Sequence, residues 1–150
     1  MSTAHPPVGP RGRTDPRGRD LVLAMIVGGV AAIAANVAIG AVARSVGASS
    51  DFSPLAPAEL VVPTIFGTVV GAVGWFVIAR RVARPWAVFR VAAPAVVLVS
   101  LIPDVIMWVG GSEPGTSAGA VIALMLTHLA TGVVLVAVFQ HVMPVDRSQS

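Results

Sequence analysis

The chain contains no cysteine and no lysine, and only 11% of its 150 residues are charged. Without cysteine, disulfides, thiol catalysis and thiolate metal ligation are excluded within the chain. A soluble domain normally carries about 25% charged residues. The 17 charges here leave too little polar surface to cover a water-facing globule. A disordered chain is equally excluded, because 55% of the residues are hydrophobic. What remains is an integral membrane protein. The lack of lysine beside abundant Ala, Val, Gly and Arg is the composition expected of a GC-rich bacterial genome.

The apolar residues are gathered into four runs long enough to cross about 30 Å of hydrocarbon. The spacing predicts spans at about 21–43, 60–79, 86–109 and 118–140, and hence an all-α, integral membrane four-helix bundle. Asp20 is placed to cap the first span, and Arg44 stops it. Pro63 is expected in the first turn of the second span, where a missing N–H costs little, and Pro85 in the first turn of the third. Gly115-Thr116-Ser117 offers a hydroxyl cap to the fourth, with Pro144 just past its end. The first run is too long for the apolar core of a signal peptide, typically about 7–15 residues, and reads as a true span.

The sequence pI of 11.4 does not point to nucleic acid, because no basic stripe alternates with aromatics. Read by position, the arginines specify topology. Arg11, Arg13, Arg17, Arg19, Arg80, Arg81, Arg84, Arg90 and Arg147 fall on one side of the four spans, and Arg44 alone on the other. Both termini are therefore expected in the cytoplasm, with Trp86 at the inner interface and Trp108 at the outer. Residues 1–19, rich in Pro, Gly and Arg, are expected to be a disordered basic arm able to lie against anionic lipid. Residues 45–58 and 110–117 form external loops, and 143–150 a short tail.

Helices in lipid associate by close packing rather than by hydrophobic burial. Gly28, Ala32, Asn36 and Gly40, four apart, make one small-residue stripe on the first span. Gly67 and Gly71 make a second on the next span, with Thr64, Thr68 and Gly74 nearby. Such stripes bury contacts within the bundle or, alternatively, form a homodimer seam.

Asp104 is the only acid deep within a span, where a charge at mid-bilayer costs about 2.5–3.5 kcal/mol. Pro103 before it is expected to break or bend the helix, and Ser100, Asp104 and Met107 share a face. Asp104 lies about 8 Å below the outer edge of its span and Asn36 roughly 10 Å, with Arg44 two turns further out on the Asn36 face. The fourth span carries Thr127, His128, Thr131 and Gly132 near mid-membrane. His128 lies roughly 15 Å from the outer end, so contact with Asp104 requires offset or tilted helices. The candidate intramembrane polar site is Asn36, Arg44, Ser100, Asp104, Thr127 and His128. It reads either as a structural tie, as a ligand or proton site, or as residues facing an outer vestibule.

Other chemistries lack residues. His128 and His141 share one helix, so a monomer offers no bis-histidine haem site. There is no H-E-x-x-H zinc helix, no phosphate-cradling loop and no Gly-x-Ser-x-Gly. No catalytic residue, metal or cofactor is expected, and the short loops leave no room for a soluble catalytic domain.

With the spans placed, the chain resembles a family of uncharacterised four-span membrane proteins found chiefly in actinobacteria. The resemblance covers roughly residues 18–142 and rests on four features. These are an Arg-rich arm before an Ala/Gly/Asn span, Arg80-Arg81-x-x-Arg84-Pro85, Ser100-Leu101-Ile102-Pro103-Asp104, and Leu126-Thr127-His128-Leu129. It implies a bacterial plasma-membrane location and no particular activity. The expected function is that of a non-enzymatic interaction or structural subunit, whose partners are the bilayer and a second copy or another membrane protein. The alternative is a small proton-linked carrier or ligand-binding protein using Asp104 and His128.

Overall fold

Hydrocarbon offers no hydrogen bonds to the backbone, so each apolar run folds as a helix that satisfies its own N–H and C=O groups. The computed structural model describes residues 16–147. Most of the expected basic arm, residues 1–15, and the last three residues of the tail lie outside the described residues. The helices are α1 (Gly18–Ser45), α2 (Pro57–Arg81), α3 (Pro85–Ser100), α4 (Ile102–Gly110) and α5 (Ala118–Val142), with a short 3-10 turn at Ser53–Leu55. Together α3 and α4 make the third span, and all four spans are long and apolar enough to cross a membrane.

Several boundaries differ from the sequence expectation for identifiable reasons. Helix α1 starts three residues before Leu21, with Arg17 in the cap position. Asp20 therefore sits inside the first turn, where its carboxylate accepts the Arg17 backbone N–H at 2.8 Å. Helix α2 starts at Pro57, which takes the first-turn role expected of Pro63; Pro63 is then internal. Ser117 caps α5 as its position suggests, its hydroxyl accepting the Ala120 N–H at 3.2 Å. The third span breaks at Leu101, just ahead of Pro103. Pro103 has no N–H for the preceding turn, and the chain tightens there into a Leu101 N–H to Leu98 carbonyl bond of 3.2 Å. Gly111, in the left-handed region at φ 58°, ends α4.

Helix α1 is the central element and packs against both α5 and α2. Its stripe of Gly28, Ala32, Asn36 and Gly40 is buried throughout, facing into the bundle and not outward as a dimer seam. A Cβ on Gly28 would lie 2.9 Å from Leu135 Cδ2, and one on Gly40 3.0 Å from the Leu55 carbonyl. The second stripe divides. A Cβ on Gly71 would meet Phe139 at 3.4 Å, whereas one on Gly67 would meet open space. Helices crossing at an angle touch over a limited stretch, and α5 reaches only Gly71.

Two clusters close the ends. At the end bearing both termini, Trp75 stacks on Phe89 with ring centroids 3.8 Å apart and meets Phe139 edge-on at 5.9 Å. The chain after α5 folds back over this cluster, burying Met143 and Val145. Trp75 Nε1 donates to the Met143 carbonyl at 3.0 Å, and Gln140 Nε2 to that of Val145 at 3.0 Å. At the other end, the α1–α2 connection tucks Phe52 and Leu55 beneath itself, against Leu60, Val121 and Leu124. This connection is thus more than an exposed loop. The third span is the least covered: among its residues only Pro85, Phe89 and Asp104 are buried.

The aromatic cluster gives a direct test. Trp75→Ala removes the ring that stacks on Phe89 and meets Phe139 edge-on, and is expected to lower stability by about 3–5 kcal/mol. Trp75→Phe loses chiefly the bond to Met143 and should cost about 1 kcal/mol. Equilibrium unfolding of both variants in bicelles checks the difference.

Candidate functional site

The intramembrane polar residues separate into two groups. The first centres on Asn36, which is 2% exposed. Its carboxamide Nδ2 donates to Thr64 Oγ1 and to Thr131 Oγ1, each at 2.9 Å. One side chain thereby links α1 to both α2 and α5. Small residues on α1 allow the close approach: a Cβ on Gly28 would lie 2.9 Å from Leu135 on α5, and one on Gly29 3.6 Å from Thr68 on α2. The threonine hydroxyls use their own protons locally: Thr64 donates to the Leu60 carbonyl at 2.6 Å and Thr68 to that of Thr64 at 2.7 Å. Such back-bonding satisfies a hydroxyl without leaving the helix. The Asn36 Oδ1 atom is buried and has no hydrogen-bond partner among the described residues.

The second group joins α4 to α5. Asp104 Oδ2 lies 3.3 Å from His128 Nε2, so the two residues meet across the third and fourth spans. The break at Leu101 starts a new helix whose first turn carries Asp104, and an acid there faces the positive end of the helix dipole. The pair lies at the bundle's edge: the Asp104 side chain is 7% exposed and that of His128 31%. The approach is close, although Oδ2 has no aligned hydrogen bond among the described residues.

The remaining candidates do not join either group. Ser100 donates to the Val97 carbonyl at 2.7 Å, and Thr127 to that of Leu124 at 2.7 Å. Arg44 is half-buried, its Nε has no hydrogen-bond partner, and it makes no ion pair with Asp104 among the described residues. Among the described residues no group of three His, Cys, Asp or Glu side chains is placed to hold a metal. An apolar groove of about 510 Å³ opens between α1 and the start of α5, lined by residues such as Ile39, Val42, Ala120 and Leu126. Neither Asp104 nor His128 lines it.

Trp75, Met143 and Val145 escaped the sequence reading. A tryptophan one turn inside the basic end was the available signal, since a buried indole N–H needs an acceptor. Gly132 also has a role beyond its polar neighbours: a Cβ there would lie 2.5 Å from Val97 Cγ2, so it seats the third span on α5.

An all-α bundle of four membrane-compatible helices, with a buried hydrogen-bonded tie at Asn36 and a carboxylate–imidazole contact at its edge, is the class of protein these features define. The chain belongs to the family of unknown function DUF6069, whose model matches residues 16–144. No curated protein and no solved structure matches it.

Gly132→Ala tests the seating of the third span. The added methyl must push Val97 aside, and a loss of about 1–3 kcal/mol is expected. Val97→Ala in the same chain should recover most of it, as read by thermal unfolding in a fixed detergent–lipid mixture.

Proposed function

We propose that the protein is a non-enzymatic subunit of a bacterial, specifically actinobacterial, plasma membrane. Both termini lie in the cytoplasm, and it works by associating with another membrane helix along its third span. The observation that carries this reading is how little of that span is covered. Only Pro85, Phe89 and Asp104 are buried along it, whereas α1, α2 and α5 bury one another. Its edge also carries the carboxylate–imidazole pair, with His128 part-exposed. Polar groups at membrane depth ordinarily face protein or water rather than lipid, and a partner over this edge meets that requirement.

The second reading is a small proton-linked carrier, favoured by the 3.3 Å approach of Asp104 and His128. A carrier needs a water-filled path to such groups. The described groove lies elsewhere, along α1 and α5.

The lack of native cysteine makes the test clean. Val96→Cys on the exposed third span should crosslink to a second copy or co-purifying protein in native membranes, while Val30→Cys on exposed α1 should not. Equal crosslinking at both positions contradicts the subunit reading. Asp104→Asn and His128→Ala separate the alternatives: loss of crosslinking supports association, whereas loss of proton-coupled uptake into vesicles with crosslinking intact supports the carrier. A reporter fused to the C-terminus should be active only in its cytoplasmic form.

A further inference from the structure

The two ends of the bundle carry opposite charge. At the end away from the termini, Arg44 stands against Asp51, Glu59 and Glu113. At the other end, Arg80, Arg81, Arg84 and Arg90 are all exposed around the start of α3. None of these four has a carboxylate within ion-pair distance among the described residues. The returning tail adds Arg147, whose guanidinium lies 4.7 Å over the Trp86 ring, together with the acid Asp146. Arg80 in turn lies 5.2 Å over Phe76. Two of the guanidinium groups, those of Arg80 and Arg147, thus lie over aromatic rings at the ends of the spans, an arrangement suited to the level where headgroups meet hydrocarbon.

We propose that this face binds anionic phospholipid headgroups, with Arg80, Arg81 and Arg84 as the phosphate-binding side chains and half-buried Trp86 as the interfacial anchor. Three features favour lipid over a soluble anion. The arginines flank two spans directly, so a phosphate held there leaves its acyl chains beside the exposed faces of α2 and α3. Trp86 is amphipathic and lies at the same level. Guanidinium groups bind phosphate oxygens bidentately, which orders a headgroup instead of merely attracting it. The site goes beyond the subunit reading: its phosphate-binding arginines lie at the end of the spans, away from the Asp104–His128 edge, and lipid retention is measured separately from crosslinking, so failure of one is distinguishable from failure of the other.

The test uses the purified full chain in mixed micelles containing phosphatidylglycerol and phosphatidylcholine in equal amounts. Lipid co-eluting with the protein is quantified by mass spectrometry. Wild type should retain phosphatidylglycerol over phosphatidylcholine by about fivefold or more, the ratio that the surface attraction of a single arginine alone would give. The Arg80→Gln, Arg81→Gln, Arg84→Gln variant should retain the two alike, and the matching Lys variant should keep part of the preference. Arg44→Gln at the opposite end should keep all of it. Because charge removal can also disturb insertion, a salt series on wild type provides a second measurement. The preference should shrink as ionic strength rises from about 0.1 M to 1 M and the screening length falls from roughly 10 Å to 3 Å. Equal retention of both lipids by wild type, or a preference unchanged in the Gln variant or across the salt series, overturns the proposal. Displacement of the lipid by millimolar inorganic phosphate, but not by chloride of equal ionic strength, assigns the face to free phosphate and also overturns it.

Discussion

The bundle depends on one carboxamide. In lipid the helices gain nothing from hiding apolar surface, since the solvent is as apolar as they are. Their association rests on close packing and on the few hydrogen bonds that run between them. Asn36 makes two such bonds from a single nitrogen, one to α2 and one to α5, and it does so from the middle of the small-residue stripe on α1. Packing and polarity are therefore specified at the same place. Gly28, Ala32 and Gly40 allow the approach, and Asn36 fixes its register.

The third span is attached differently. Its N-terminal half, α3, is held by Phe89 stacking on Trp75, and its C-terminal half, α4, by Asp104 meeting His128, with Val97 against Gly132 between them. The break at Leu101, just ahead of Pro103, places Asp104 in the first turn of α4. The result is a three-helix core with a fourth span fastened at separate points along its length. Much of that span remains uncovered, with only Pro85, Phe89 and Asp104 buried along it.

The four spans were legible because length and apolarity alone decide what can cross a bilayer. The Asn36 stripe was legible from its four-residue spacing, and Asp104 and His128 stood out by their rarity in apolar runs, although their depths of about 8 and 15 Å argued against direct contact unless the helices were offset or tilted. What the sequence concealed were contacts made by ordinary residues. Phe52 and Leu55 resemble loop residues until the chain turns them under the bundle. Met143 and Val145 follow the last span and look like tail, yet they seal the aromatic cluster. The grouping of Ser100, Thr127 and Arg44 with Asp104 assumed that shared depth means contact. Both hydroxyls, of Ser100 and Thr127, instead bond their own helices, since a carbonyl within the preceding turn is within easy reach. Gly67 shows the same limit, because a motif gives spacing but not the point at which two helices cross.

The central claim is that the Asn36 carboxamide couples α1 to α5 and α2 energetically, beyond its fit in the stripe. A double-mutant cycle tests it most directly: Asn36→Leu, Thr131→Val and their combination, with unfolding free energies measured in the same bicelles. The account predicts a coupling of about 0.6–1.7 kcal/mol, the range of interhelical hydrogen bonds in a bilayer. Additivity within about 0.3 kcal/mol would contradict it.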